Sequence, residues 1–185
     1  MSLDINDLAS TSIDKLCTVT NRRHKEKKID LLIIDYLQLV NSSIRHRSRE
    51  EEISSITRKL KILAMDLNIP ILALSQLNRG PSIEKREPVL SDIRESGSIE
   101  QDAHSVIFIH RDDLQDESSN KGLAKIIVAK NRGGEVGSLL LKFNAQYTLF
   151  EDPLEHEQIY WNQKANNKKQ SSYLNQIELI TKGNP

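Results

Sequence analysis

Asp35 closes the nearly continuous apolar run from Ile29 to Ile34, and Ser75-Gln76 follows the run Ile71–Leu74. Short apolar runs of this kind read as strands buried on both faces of a parallel sheet. Ligands of open parallel sheets lie beyond the carboxyl ends of the strands. A carboxylate at such an end can hold the water shell of a Mg²⁺ ion bound to nucleotide phosphates. It can equally cap a helix or close a turn. A glutamine amide can donate to a γ-phosphate oxygen while accepting from water, or it can bond a loop. Lys130 and Arg132 lie two residues apart at an expected hairpin tip. Alternate strand residues share a face, and an ammonium beside a planar guanidinium suits phosphate. A solvated basic turn would have the same composition.

The elements that must position these groups follow from periodicity. A helix is predicted from Thr11 to about Lys25, with Thr11 and Asp14 at capping-box spacing and Ile13, Leu16, Cys17 and Thr20 on one side. The basic stretch Arg22–Lys28 closes it, where cations suit the negative end of the helix dipole. After a polar loop, Asn41 to Arg47, Ser48 is the expected N-cap of a second helix with Glu51 at N3. Ile53, Ile56, Leu60, Leu63, Ala64 and Leu67 form its apolar stripe, and Asn68-Ile69-Pro70 ends it. The order strand, helix, strand implies a parallel sheet with a right-handed crossover. A polar loop covers residues 78–92, and Ser105–Ile109 is a third apolar strand. Gly122–Ala129 and Val136–Phe143 flank Gly133 and Gly134 as a hairpin whose glycines would supply positive φ. Tyr147–Phe150 is one more expected strand.

Composition narrows the class. The 185 residues are 37% hydrophobic, which suits one core. Lys+Arg and Asp+Glu both number 26, so nucleic-acid binding would need a local cluster rather than a global excess. The single cysteine, Cys17, excludes an internal disulfide, and no cluster resembles a zinc site. With no apolar run of membrane-spanning length, the chain is expected to be soluble and cytoplasmic. Met1-Ser2-Leu3 reads either as an appended leader or as a natural start.

Four ordered motifs are together more specific than any one residue. They are Leu32-Ile33-Ile34-Asp35-Tyr36-Leu37-Gln38, Ala73-Leu74-Ser75-Gln76-Leu77-Asn78-Arg79, the stretch Leu90 to Asp102 containing Arg94-Glu95-Ser96-Gly97, and Lys130-Asn131-Arg132-Gly133-Gly134. In this order they resemble the motor domain of DnaB-type replicative helicases, a branch of the RecA-like ATPases. The resemblance implies an α/β fold, RecA-like and three-layered but present in part, with a mostly parallel sheet and a C-terminal β-hairpin. Residues 4–152 would be the C-terminal part of the motor domain, and 153–185 a polar, weakly ordered tail with a helix near 171–180. Asp35 resembles the Walker B aspartate that holds Mg²⁺ through water, and Gln76 the glutamine that couples the γ-phosphate of ATP to the DNA loops. Lys130 and Arg132 match the pair offered in trans to the next subunit's ATP. Arg94, Glu95 and Gly97 match the loop that touches single-stranded DNA, where Gly97 would permit close approach of a phosphate. Implied partners are single-stranded DNA and further copies in a hexameric ring, with primase and a helicase loader as candidates; no membrane is implied.

The sequence departs slightly from the family pattern at Asn131-Arg132-Gly133-Gly134, and more consequentially in what it lacks. It contains no G-x-x-x-x-G-K-[ST], so it encodes no loop of converging N–H groups to cradle phosphates. The family's general-base glutamate also lies upstream of these motifs. A truncated helicase motor and a non-catalytic DNA-binding or ring-assembly module are therefore the two readings of the chain. A recombinase or clock-type relative fits the Arg94–Asp102 motif less well. Without its neighbouring phosphate-loop strand, the strand before Gln76 is expected to leave an apolar edge open to self-association. The 185-residue chain alone is expected neither to bind nor to hydrolyse ATP. Equilibrium dialysis and a phosphate-release assay check this, and turnover at the rate of an intact helicase would refute it.

Overall fold

The computed structural model describes residues 2–7, 11–93, 96–111 and 122–163. The chain divides into two compact units, one of Met1–Val106 with Ala129–Glu135, the other of Ile107–Val128 with Val136–Pro185.

In the first unit, β1 (Thr11–Ser12) runs into α1 (Ile13–Glu26), and β2 (Leu32–Ile34) leads through a 3₁₀ turn to β3 (Val40–Asn41). Then follow α2 (Arg49–Leu67), β4 (Ile71–Ala73), the short α3 (Gly80–Ile83) and α4 (Ser96–Asp102). Two parallel ladders organise it, β1 with β3 and β2 with β4. The helix α2 starts and stops as its sequence dictates. Ser48 Oγ accepts from the Glu51 N–H at 3.2 Å, while the Glu51 carboxylate reaches back one residue further, to the Arg47 N–H at 2.8 Å. Glu50, Glu51 and Glu52 occupy the first turn, where the dipole favours them. Asn68 ends the helix in the left-handed region with φ of 51°, a conformation Asn tolerates.

At α1 the cap differs from expectation. Ser12, not Thr11, is the N-cap, and its hydroxyl accepts from the Lys15 N–H at 3.3 Å. Both residues lie in the β1–β3 ladder, Thr11 opposite Val40 and Ser12 opposite Asn41. The apolar sides of α1 and α2 then meet. Ile13, Ile53 and Ile56 are fully buried, joined by Ile34, Leu37, Val40 and Leu60. Each such side chain contributes about 1.5–3 kcal/mol on removal from water.

The expectation of strands buried on both faces is overturned. Ile34 is buried, but Ile33 and its partner Leu72 are each 52% exposed, and Leu31 and Leu74 are exposed too. Only one side of the β2–β4 ladder is covered by the helices of the described chain, so an apolar run written for two covered faces has one bare. β5 (Ser105–His110) repeats this alternation, with Val106, Phe108 and His110 buried and Ile107 and Ile109 exposed.

β6 (Leu123–Asn131), β7 (Gly137–Asn144) and β8 (Leu149–Glu151) continue from β5 as a four-stranded sheet in sequence order. The β6–β7–β8 portion is antiparallel, with Ile126 opposite Leu139 and Phe143 opposite Phe150. In the second unit, Phe108, Ala124 and Leu140 are buried. The hairpin after β6 does not use positive φ at Gly133 or Gly134; the positive-φ glycine among the described residues is Gly122, at 82°. The loop is long enough to turn without it, helped by Asn131 Oδ1, which accepts the Gly133 N–H at 3.2 Å. A Cβ at Gly134 would approach Asn131 Nδ2 to 3.0 Å, so that amide would have to shift slightly to admit one. Residues 155–163 are helical. They are tied to the sheet by Lys142 and Glu157 at 2.7 Å and by the Lys125 ammonium over the Trp161 ring. The helix expected near 171–180 lies outside the described residues.

Truncating Ile53 to Ala should cost about 2–5 kcal/mol of unfolding free energy. Ile62→Ala, on the exposed side of α2, should stay within about 0.5 kcal/mol of wild type. Urea denaturation of the two variants checks the assigned face.

Candidate functional site

The ladder between β2 and β4 sets Leu32 opposite Ile71 and Ile34 opposite Ala73. Beyond it the backbone bonding continues. The Leu74 N–H donates to Ile34 O at 2.9 Å, and the Leu37 N–H donates to Leu74 O at 2.8 Å. Asp35 and Tyr36 are thus bracketed by two bonds to one residue of the neighbouring strand, and Gln76 follows two positions after that residue. Asp35 and Gln76 are exposed at adjacent strand ends. Among the described residues, neither the Asp35 carboxylate nor the Gln76 side-chain amide has a hydrogen-bond or ion-pair partner.

Gln38 joins the two tips. Its Nε2 donates to Ser75 Oγ at 3.0 Å, and its Oε1 accepts the Gln76 N–H at 3.3 Å. Gln38 is in turn held from behind. Arg49 Nη2 donates to Gln38 O at 2.8 Å, and Arg49 Nη1 pairs with Glu52 at 2.6 Å. Glu52 also accepts the Ser42 N–H at 2.7 Å. That backbone hydrogen bond is the leading reason its carboxyl lies below the usual glutamate range, with Arg49 reinforcing it. Sequence reasoning assigned Gln38 no role. The signal was an amide three residues past Asp35, at a distance that lets it reach across to the next strand.

Lys130 and Arg132 come together at a different place. The Lys130 ammonium donates to Glu100 O and the Arg132 guanidinium to Gln101 O, both in the last turn of α4. Carbonyls there have no partner within their own helix, so the two cations share one acceptor surface. The Arg132 N–H donates to His104 O at 3.0 Å, and Ser105 Oγ to Asn131 Oδ1 at 3.2 Å. α4 itself is fixed to α2, where Thr57 Oγ1 donates to Asp102 Oδ2 at 2.6 Å. No hydrogen bond or ion pair among the described residues links Asp35 or Gln76 to Lys130 or Arg132.

Gly97 lies in α4 and is exposed; a Cβ added there would meet nothing within 4 Å. Arg94 and Glu95 lie outside the described residues. No group of three or more His, Cys, Asp or Glu side chains placed to hold a metal ion occurs among the described residues. A lone exposed carboxylate such as Asp35 is nonetheless the donor set that suits nucleotide-bound Mg²⁺, which keeps most of its waters and takes one or two carboxylates. No helix among the described residues is long and apolar enough to cross a membrane.

This arrangement defines a class, the RecA-like ATPase domain. Two solved structures share it at 38% identity and a TM-score of 0.74: a DnaB-like replicative helicase described with its primase interactions, and the ATPase domain of a second protein. Each likeness covers 82% of this chain, and 37% and 55% of those chains respectively. Within the class, residues 1–152 match the model of the DnaB-like helicase C-terminal domain, and the chain belongs to that family. It is 44% identical over 151 residues to the replicative DNA helicase DnaC of Bacillus subtilis strain 168, covering 79% of this chain and 33% of that protein. It is 45% identical over 144 residues to a probable plasmid replicative DNA helicase of Chlamydia psittaci, covering 76% and 31%. The chain thus spans about a third of the length of these relatives.

The Glu52 network carries a pH signature. Because its folded-state pKa is depressed, its contribution is present above the unfolded glutamate value of about 4.3. It is lost as pH falls through the lower folded value. Urea midpoints measured down the acid limb should therefore fall less steeply in Glu52→Gln than in wild type. Identical slopes would mean that the Ser42–Glu52–Arg49 bonds do not form.

Proposed function

We propose that this chain is the C-terminal part of the motor of a hexameric, ATP-driven replicative DNA helicase that unwinds duplex DNA by moving along single-stranded DNA in the cytoplasm. The observation that carries the reading is the meeting of Asp35 and Gln76 at the ends of two paired parallel strands, both side chains free to meet a ligand. Mg²⁺ bound to ATP would supply charge neutralisation of the phosphates as charge develops during transfer. Asp35 would hold that ion through its water shell. Gln76, fixed in height by Gln38, offers one amide that can donate to the γ-phosphate and accept from water.

The lack of any hydrogen bond or ion pair between Asp35 and Lys130 or Arg132 among the described residues, with both cations held on α4 carbonyls, supports action in trans. Parked on the carbonyls at the end of α4, they are offered to the nucleotide of the next subunit in the ring, with the fixed guanidinium stabilising transition-state charge. Arg94, Glu95 and Gly97 contact the single-strand backbone. The space left open at Gly97 supports close approach, and contacts of this kind position a strand without reading its sequence. Primase and a helicase loader are the further protein partners of this reading.

In a ring that carries the phosphate loop, Arg132→Ala should lower ATP turnover by roughly 10³-fold or more while nucleotide binding persists. Arg94→Ala should weaken binding to oligothymidylate and reduce the salt slope by about one. Normal turnover by Arg132→Ala would rule out the trans role.

A further inference from the structure

One ion pair with a buried carboxylate is used by none of the roles above. Arg86 grips Asp92 with both arms of its guanidinium, Nη1 to Oδ2 at 2.6 Å and Nη2 to Oδ1 at 2.8 Å. Nη1 also reaches Glu87 O at 3.2 Å, and Nε pairs with Glu84. Asp92 is only 3% exposed and additionally accepts the Val89 N–H at 2.7 Å. The Arg86 hydrogen bond, above all, holds its carboxyl below the usual aspartate range.

The place of this pair in the chain matters more than its strength. Asp92 O accepts the Asn78 N–H at 2.8 Å, and Leu77 forms an antiparallel bridge with Ile93. Leu77 is the residue after Gln76, and Ile93 the residue before Arg94. The whole loop from Asn78 to Asp92 is therefore closed at its neck, and the neck joins the nucleotide-facing tip to the start of the expected DNA loop. Asn78 Oδ1 also accepts the Gly80 N–H at 3.0 Å, which adds a local turn at the neck. Well-packed apolar residues close a loop as stably as a buried ion pair. What the bidentate fork adds is a fixed orientation of both partners.

We infer that Arg86 and Asp92 are positioning residues that lock the segment after Gln76 to the segment before Arg94, so that contact with DNA on one side and with the γ-phosphate on the other displaces one rigid unit. The inference rests on the proposed roles of Gln76 and the Arg94 loop. A contiguous hydrogen-bonded path is a physical route for coupling, and a perturbation that crosses it is what demonstrates the coupling.

The experiment uses the full 185-residue chain, a fluorescent oligothymidylate, and amide hydrogen exchange read at Asn78. In the wild type, DNA should slow exchange at Asn78 about tenfold, because its bond to Asp92 O lies on the far side of the neck from Arg94. Arg86→Lys keeps the charge but not the fork. It should bind the oligonucleotide within about threefold of wild type, yet lose the slowing at Asn78. Should Arg86→Lys fail to fold, Asp92→Asn, which keeps the side-chain shape and an acceptor for the Val89 N–H, carries the same comparison. Wild-type slowing in a folded variant overturns the proposal, as does DNA binding by the wild type with no change at Asn78. Absence of DNA binding by the wild-type chain defeats the DNA-loop assignment itself, a distinct failure from loss of coupling.

Discussion

The parallel pairing of β2 with β4 is the constraint on which the site depends. Three residue pairs and the two flanking bonds through Leu74 fix the axial register. A slip of one residue would turn Asp35 toward the helices and carry Ile34 out of the core. Burial of Ile34, Leu37 and Ile53 thus enforces the register that brings a carboxylate and an amide to one rim. The Gln38 bridge is secondary to that pairing. It trims the height of the Ser75-Gln76 tip rather than creating it, since the amide can span to Ser75 only once the strands are paired.

α2 connects the parts of the first unit. At its N-terminus Arg49 holds the backbone of Gln38, and two turns later Thr57 holds Asp102 at the end of α4. The same α4 turn carries Lys130 and Arg132. A single helix with a largely buried apolar stripe therefore sets both the Ser75-Gln76 tip and the paired cations. This is the economy expected of a site mounted on rigid elements instead of loops.

Much of this was legible in the sequence where local chemistry decides. Ser48 and Asn68 announce the ends of α2, the stripe from Ile53 to Leu63 announces its face, and the motifs around Asp35, Gln76 and Arg132 announce the family. What escaped was settled by partners distant in sequence. Thr11 and Ser12 both suit a cap and both pair with β3, and Ser12 is the one that stands at the helix boundary. An apolar strand gives no sign of which face the described chain leaves bare, as Ile33 and Leu72 show. Gln38 looked like a motif letter because its target lies 37 residues away. Arg86 and Asp92 sat in what read as a polar loop, because an ion pair six residues apart closes a loop only when the backbone already turns back on itself.

The central claim is the β2–β4 register, and paired cysteines test it most directly. Ile33 and Leu72 are cross-strand partners on the exposed face, at a separation a disulfide can span. In a Cys17→Ser background, Ile33→Cys with Leu72→Cys should oxidise to an intramolecular bridge. Ile33→Cys with Leu74→Cys, displaced along the strand to roughly 7–8 Å, should remain reduced under the same conditions. Closure of the second pair in place of the first would contradict the account, because it would set Leu74 opposite Ile33 and abolish the bonds from Leu74 to Ile34 and Leu37 that fix the two strand ends.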